Sequence, residues 1–199
     1  MPHSRIVIGL TFLLSLALFS AGCTLPVDIP VPTTQQTQVT SAPSTTIPVP
    51  SEFPALYDRS AGEISTLLQA VNGNMFTASG AAYSPARLNL AARDLRDTAE
   101  HYHTVMIGIK KFDNKNDELK RNQYLTYLNG MVSAGNNIGD AAVAEGNNQY
   151  SLAMNYAELA KKALVNIEGV PDRRSQDVIV TTKVYLDDYI QMMREKIRA

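Results

Sequence analysis

Glu100 and His103 stand three residues apart in the run Glu100-His101-Tyr102-His103, a spacing with which carboxylate-bridged di-iron sites draw one carboxylate and one imidazole from a single helical turn. Such a site needs a second Glu-x-x-His and two further inward carboxylates on other helices. Besides His103 the chain holds only His3 and His101, so a second motif cannot be assembled. If Tyr102 lies on a buried row, Glu100 and His103 project away from the core and His101 sits at its margin, which makes all three solvated surface residues. Met75, Met106, Met131, Met154, Met192 and Met193 could supply a Met/His-ligated haem, yet methionines at helical spacing normally fill a core. Asp187 and Asp188 are adjacent, so a helix turns them about 100° apart, unsuited to sharing a proton. No Gly-rich phosphate loop, no Gly-x-Ser-x-Gly elbow and no His-Glu-x-x-His zinc signature occurs. The single cysteine, Cys23, precedes the folded part and offers it no disulfide, thiolate cluster or nucleophile. No catalytic, cofactor-binding or metal-ligating residues are therefore expected, and no enzyme. Tyrosines are the remaining polar resource. Tyr102, Tyr124, Tyr127, Tyr150, Tyr156, Tyr185 and Tyr189 fall in helical segments, either as boundary core residues with hydroxyls reaching water or as the lining of a ligand pocket between helices.

The elements that carry these residues read as helices throughout, with no convincing strand. Tyr57, Ala61, Ile64, Leu68 and Val71 recur at spacings of four and three, predicting a short first helix from Glu52 to Val71, stopped by Asn72-Gly73-Asn74. Ser84-Pro85 reads as an N-cap followed by proline in the first turn. After it, Leu88, Leu95, Tyr102 and Ile109 form one row, and Ala91, Thr98, Val105 and Phe112 the next, with Lys110 and Lys111 in the last turn. Asn114 and Asn116 mark a turn into a third helix with Tyr124, Leu128, Met131, Ile138 and Ala142 on its apolar face. Gly130, Gly135 and Gly139 weaken its middle, by about 1 kcal/mol each relative to alanine, and imply close backbone approach or a kink. Gly146-Asn147-Asn148 breaks the chain before a fourth helix with Tyr150, Ala153, Ala157, Ala160, Leu164 and Ile167. Gly169-Val170-Pro171 ends that helix and opens a fifth, with Ile179, Leu186, Met193 and Ile197 beside Val178, Tyr185, Tyr189 and Met192. Short turns imply antiparallel neighbours. The expected fold is all-α, an antiparallel bundle of about five helices over residues 52–199, four long and the N-terminal one shorter. The segment Ala144 to Leu164 resembles one half of a tetratricopeptide repeat, but no second copy follows at the required period.

The first quarter of the chain differs. Residues 24–50 hold six prolines and a single charge, Asp28. No helix survives that proline spacing, and so little apolar surface cannot offset the ordering entropy. The expected tether reaches roughly 80 Å at about 3.1 Å per residue. Without residues 1–22, whose only charge is Arg5, the chain has 17 basic against 19 acidic residues, a net charge of −2. That balance argues against nucleic acid and gives no electrostatic attraction to anionic lipid.

Arg5 and the uncharged apolar run of residues 6–19 have the form of a signal peptide, too short for a comfortable bilayer span. The run ends in Ser20-Ala21-Gly22-Cys23, which resembles the lipobox of prokaryotic lipoproteins; the position three before the cysteine, commonly leucine there, is Ser20. Together with the Thr/Pro-rich tether the resemblance is archaeal-like. It implies cleavage after residue 22, lipid attachment at Cys23, and a domain held by residues 23–51 on the outer side of the cell membrane, extracellular or periplasmic. The expected role is a non-catalytic interaction or scaffold module whose partners are the membrane and an unidentified envelope protein. The alternatives are a small-ligand-binding lipoprotein with a pocket between helices and a metal- or haem-carrying bundle.

Overall fold

A computed structural model describes residues 51–75, 83–169 and 172–199. The leader, Cys23 and residues 24–50 lie outside the described residues, as do Val170 and Pro171. Five helices follow one another: α1 (Phe53–Met75), α2 (Pro85–Gly108), α3 (Lys115–Gly146), α4 (Tyr150–Val165) and α5 (Arg173–Arg198). Each packs against its neighbour in sequence, and α1 returns to α5, so the five close into a ring with α1 grazing α3 across the interior. The all-α bundle is as expected. No helix among the described residues is long and apolar enough to cross a membrane.

An odd number of helices in a closed ring forces one parallel pair. Tyr57 and Asp58 sit with Asp172 and Ser175, while Gln69 and Asn72 sit with Asp177 and Thr181, so α1 and α5 run the same way. The antiparallel expectation holds for consecutive helices and fails at this seam.

Small residues decide which helices approach closely. A Cβ on Gly135 would lie 2.8 Å from the Ala92 carbonyl oxygen and 3.0 Å from Arg96 Cβ, and one on Gly139 would lie 3.1 Å from Asn89 Oδ1. These glycines bring α3 against α2, and α3 stays continuous for 32 residues; close approach is the outcome, not a kink. On α4 the inward face is Ala153, Ala157, Ala160 and Leu164, thin enough for the Tyr189 hydroxyl of α5 to come within 3.2 Å of the Ala141 carbonyl oxygen of α3.

Several boundaries differ from the sequence reading. At 23 residues α1 is not the short helix; α4, with 16, is. α1 runs through Asn72-Gly73-Asn74 because Met75, 1% exposed, gains a buried site one turn later, and Asn74 Nδ2 folds back onto the Ala70 carbonyl at 2.8 Å. Tertiary packing here outweighs weak local propensity. α2 stops at Gly108, with Ile109 extended, so Lys110 and Lys111 lie beyond the last turn, although Lys110 Nζ still reaches the Ile107 carbonyl at 3.4 Å. Ala92, Ala99 and Met106 form a fully buried second row on α2; of the row expected there, Ala91 is buried, Thr98 and Phe112 are half-buried, and Val105 is exposed. Ser84 occupies the N-cap position of α2 without a side-chain hydrogen bond. Asn114, expected only as part of the preceding turn, caps α3, accepting from Asp117 N at 2.9 Å, while Asn116, expected in that turn, already lies in the helix; Asp172 caps α5, accepting from Ser175 N at 3.1 Å. Ile197, assigned to the core, is exposed.

Candidate functional site

Two rows of side chains lead to the densest polar cluster in the domain. On α3, Tyr124, Leu128, Met131, Gly135, Ile138, Ala142 and Glu145 repeat at four and three, all buried. On α5, Thr182, Leu186, Tyr189 and Met193 do the same, and the next place in that row is Lys196. Because α3 and α5 run parallel, both rows end in a charged residue at the same end of the bundle. Lys196 Nζ lies 2.6 Å from Glu145 Oε1. Glu145 Oε2 accepts from Tyr189 Oη at 2.9 Å and also from Tyr83 Oη, just ahead of α2. The ammonium stands 5.4 Å from the centre of the Tyr150 ring at the start of α4, within cation–π range. One carboxylate thus joins the beginnings of α2 and α4 to the ends of α3 and α5.

The location is costly and therefore informative. Glu145 is 4% exposed and stands in the last turn of α3, where the helix dipole disfavours negative charge. A carboxylate survives burial only if it is paired and fully hydrogen-bonded, and the ammonium with two phenols meets that need. The backbone allows it because α3 ends immediately afterwards: Asn148 takes φ 59°, a conformation asparagine tolerates better than most residues, and Gln149 N closes onto the Ala144 carbonyl at 2.8 Å. Burial and the Glu145 carboxylate push the Tyr83 and Tyr189 phenols well above the ordinary tyrosine value. Both remain neutral donors at physiological pH. Nothing in the sequence reading singled out Glu145 or Lys196, although both stand where apolar rows require an inward residue. That position in the row was the available signal.

At the opposite end the tyrosines pack with phenylalanine. Ring centres of Phe53 and Tyr57 lie 5.8 Å apart, Tyr57 and Tyr124 4.6 Å, Tyr124 and Tyr127 5.1 Å, and Phe53 and Phe112 6.0 Å. Lys120 and Arg121 cover the Tyr57 and Phe112 rings at 4.0 and 5.1 Å. Of the tyrosines expected at the boundary with hydroxyls in water, Tyr150, Tyr156 and Tyr185 are half-buried at the edge of the core, whereas Tyr102, Tyr124 and Tyr189 are buried and paired within the protein. Ser60 Oγ donates to the Tyr57 carbonyl at 2.9 Å and also lies 2.9 Å from Tyr124 Oη, and Tyr102 donates to Glu63. Ser175 Oγ donates to Asp172 Oδ2 at 3.0 Å, and the buried Tyr127 hydroxyl closes no hydrogen bond of acceptable geometry.

Of the residues weighed from sequence, Glu100 and His101 are exposed, with the His101 ring edge-on to Tyr102 at 5.5 Å. His103, expected outermost, is half-buried, and His101, expected at the margin, is the exposed one. Met75, Met106, Met131 and Met193 are core, with Met154 and Met192 packed at its edge. Asp187 turns to Lys161 of α4, at 2.6 and 2.7 Å, while Asp188 is exposed. Among the described residues no group of three or more His, Cys, Asp or Glu side chains is placed to hold a metal ion. A surface groove of about 550 Å³ lies between α4 and α5, lined by charged residues including Glu158, Lys161, Lys162, Asp187 and Arg194. Comparison with protein families, curated proteins and solved structures finds no match to this chain.

Proposed function

We propose that this chain is a lipid-anchored envelope protein whose helical bundle acts as a non-catalytic interaction or scaffold module. The observation that carries the reading is Ser20-Ala21-Gly22-Cys23 directly after an uncharged apolar run and before a Thr/Pro-rich segment, the order that signal, acceptor and tether must have for cleavage and lipid attachment at Cys23. The bundle supports the second half of the reading. Its Glu145–Lys196 pair is committed to joining four chain segments, Tyr57, Tyr102, Tyr124, Tyr127 and Tyr189 are buried in the core, and the groove between α4 and α5 lies open on the surface.

Intact-mass measurement of protein extracted from membranes of its native host, or of a host with the lipoprotein machinery, tests the anchor. The expected mass is that of residues 23–199 carrying a diacylglyceryl group, and Cys23→Ser should abolish the modification and move the chain out of the membrane fraction. An unmodified chain, or a Cys23→Ser variant that stays membrane-bound, overturns it. Turnover by the purified protein that is lost on substituting residues of one groove would overturn the non-catalytic half.

A further inference from the structure

Buried polar side chains are unevenly distributed in this domain. Among the described residues Ser60, Ser65 and Asn72 lie on α1, Ser175 and Thr182 on α5, and Glu145 alone elsewhere. Ser60, Ser175, Thr182 and Glu145 all close hydrogen bonds. Ser65 Oγ and Asn72 Oδ1 close none, though both are shut off from solvent, and an orphaned buried polar atom loses its hydration without recompense.

Two further orphans, Arg121 Nε and Tyr127 Oη, lie on α3; the two on α1 face the same neighbour. Asp58, Gly62, Ser65, Gln69 and Asn72 repeat at four and three, one row on a helix. The first two line an opening of about 210 Å³ with Asp172, Arg174 and Ser175, and the last two one of about 180 Å³ with Asp177, Val178 and Thr181. Thus α1 meets α5 through a polar, interrupted seam. The helix itself is also weakened, for Gly62 and Gly73 sit in its interior and a Cβ on either would meet nothing within 4 Å, so neither glycine is there for close packing. On its other side α1 is held to α2 by its apolar row and by the hydrogen bond from Tyr102 to Glu63, and its first two turns are held by Phe53 against Phe112 and by Tyr57 and Ser60 against Tyr124 of α3. The other four helices have ties of their own: Gly135 against Ala92, Glu145 with Tyr83, Tyr189 and Lys196, Lys161 with Asp187, and Lys183 with Glu168 at 2.5 Å.

We propose that α1 is a detachable strap, which undocks as a unit while α2–α5 stay folded as an antiparallel four-helix bundle and uncovers the apolar groove between α2 and α5. Native-state hydrogen exchange of the purified chain, followed by peptide mass over a low-denaturant series, reads this directly. Amides of α1 should exchange at least tenfold faster than those of α3, with a weaker denaturant dependence. Ser65→Ala removes an orphan and should slow exchange in α1 several-fold without changing α3. Tyr102→Phe, which releases Glu63, should speed α1 alone. Exchange of α1 and α3 on one common denaturant curve, or equal shifts of both helices in either variant, overturns the proposal.

Discussion

Glu145 shows how one side chain can set the energetics of a whole bundle end. Glu145→Ala would strip the acceptor from two phenols and leave a void, and is expected to cost about 2–4 kcal/mol. Glu145→Gln keeps the shape and one acceptor and should cost less. Lys196→Met leaves the buried carboxylate without its cation and should cost about 3 kcal/mol, the low end for a broken buried pair because the lysine side chain is 37% exposed. Urea unfolding measures all three, and a Glu145→Ala variant within about 0.5 kcal/mol of the parent, the range of neutral surface changes, would remove the cluster from the account. The residue identities were readable in advance; their meeting was not, since Glu145 and Lys196 are 51 positions apart and only the parallel course of α3 and α5 brings them together.

At the level of elements, glycines of the same type have opposite meanings. Gly135→Ala puts a methyl 2.8 Å from the Ala92 carbonyl oxygen, backbone that cannot step aside, and should destabilise by about 1–3 kcal/mol. Gly73→Ala meets nothing and should stabilise by about 0.5–1 kcal/mol through helix propensity. Thermal melts of the two variants should therefore move in opposite directions, and a shift of the same sign in both would contradict the packing described for α2 and α3. Periodicity found all five helices because each must bury one stripe. It misjudged the ends of α1 and α2, where the deciding contacts, Met75 in the core and Phe112 against Phe53, come from elsewhere in the fold.

For the whole molecule, buried phenols predict an alkaline limit. Burial, reinforced by Glu63, pushes Tyr102 up to about 12, and burial likewise raises Tyr57, Tyr83, Tyr124, Tyr127 and Tyr189. A raised folded-state value means that the contribution is fully present below the unfolded tyrosine value, near 10, and is lost as pH climbs through the folded value. Stability should accordingly fall above about pH 10, each such phenol adding about 1.4 kcal/mol per pH unit to the slope. Tyrosinate absorbance followed beside helical circular dichroism tests it: most tyrosinate should appear only as the helices melt. Full ionisation near pH 10 with the helices intact would show that the tyrosines are not buried as described.

The amino-acid sequence by itself determined the number of helices and most of their stripes, and narrowed the glycines of α3 to close approach or a kink, because these follow from local periodicity and from the need to bury apolar faces. Only the tertiary structure decided between those two, that the ring closes through a parallel α1–α5 seam, that the hydroxyls of Tyr83, Tyr102 and Tyr189 turn to protein rather than water, and that a buried carboxylate ties one end together. Those outcomes depend on which stripes meet across long separations, and a stripe carries no record of its partner.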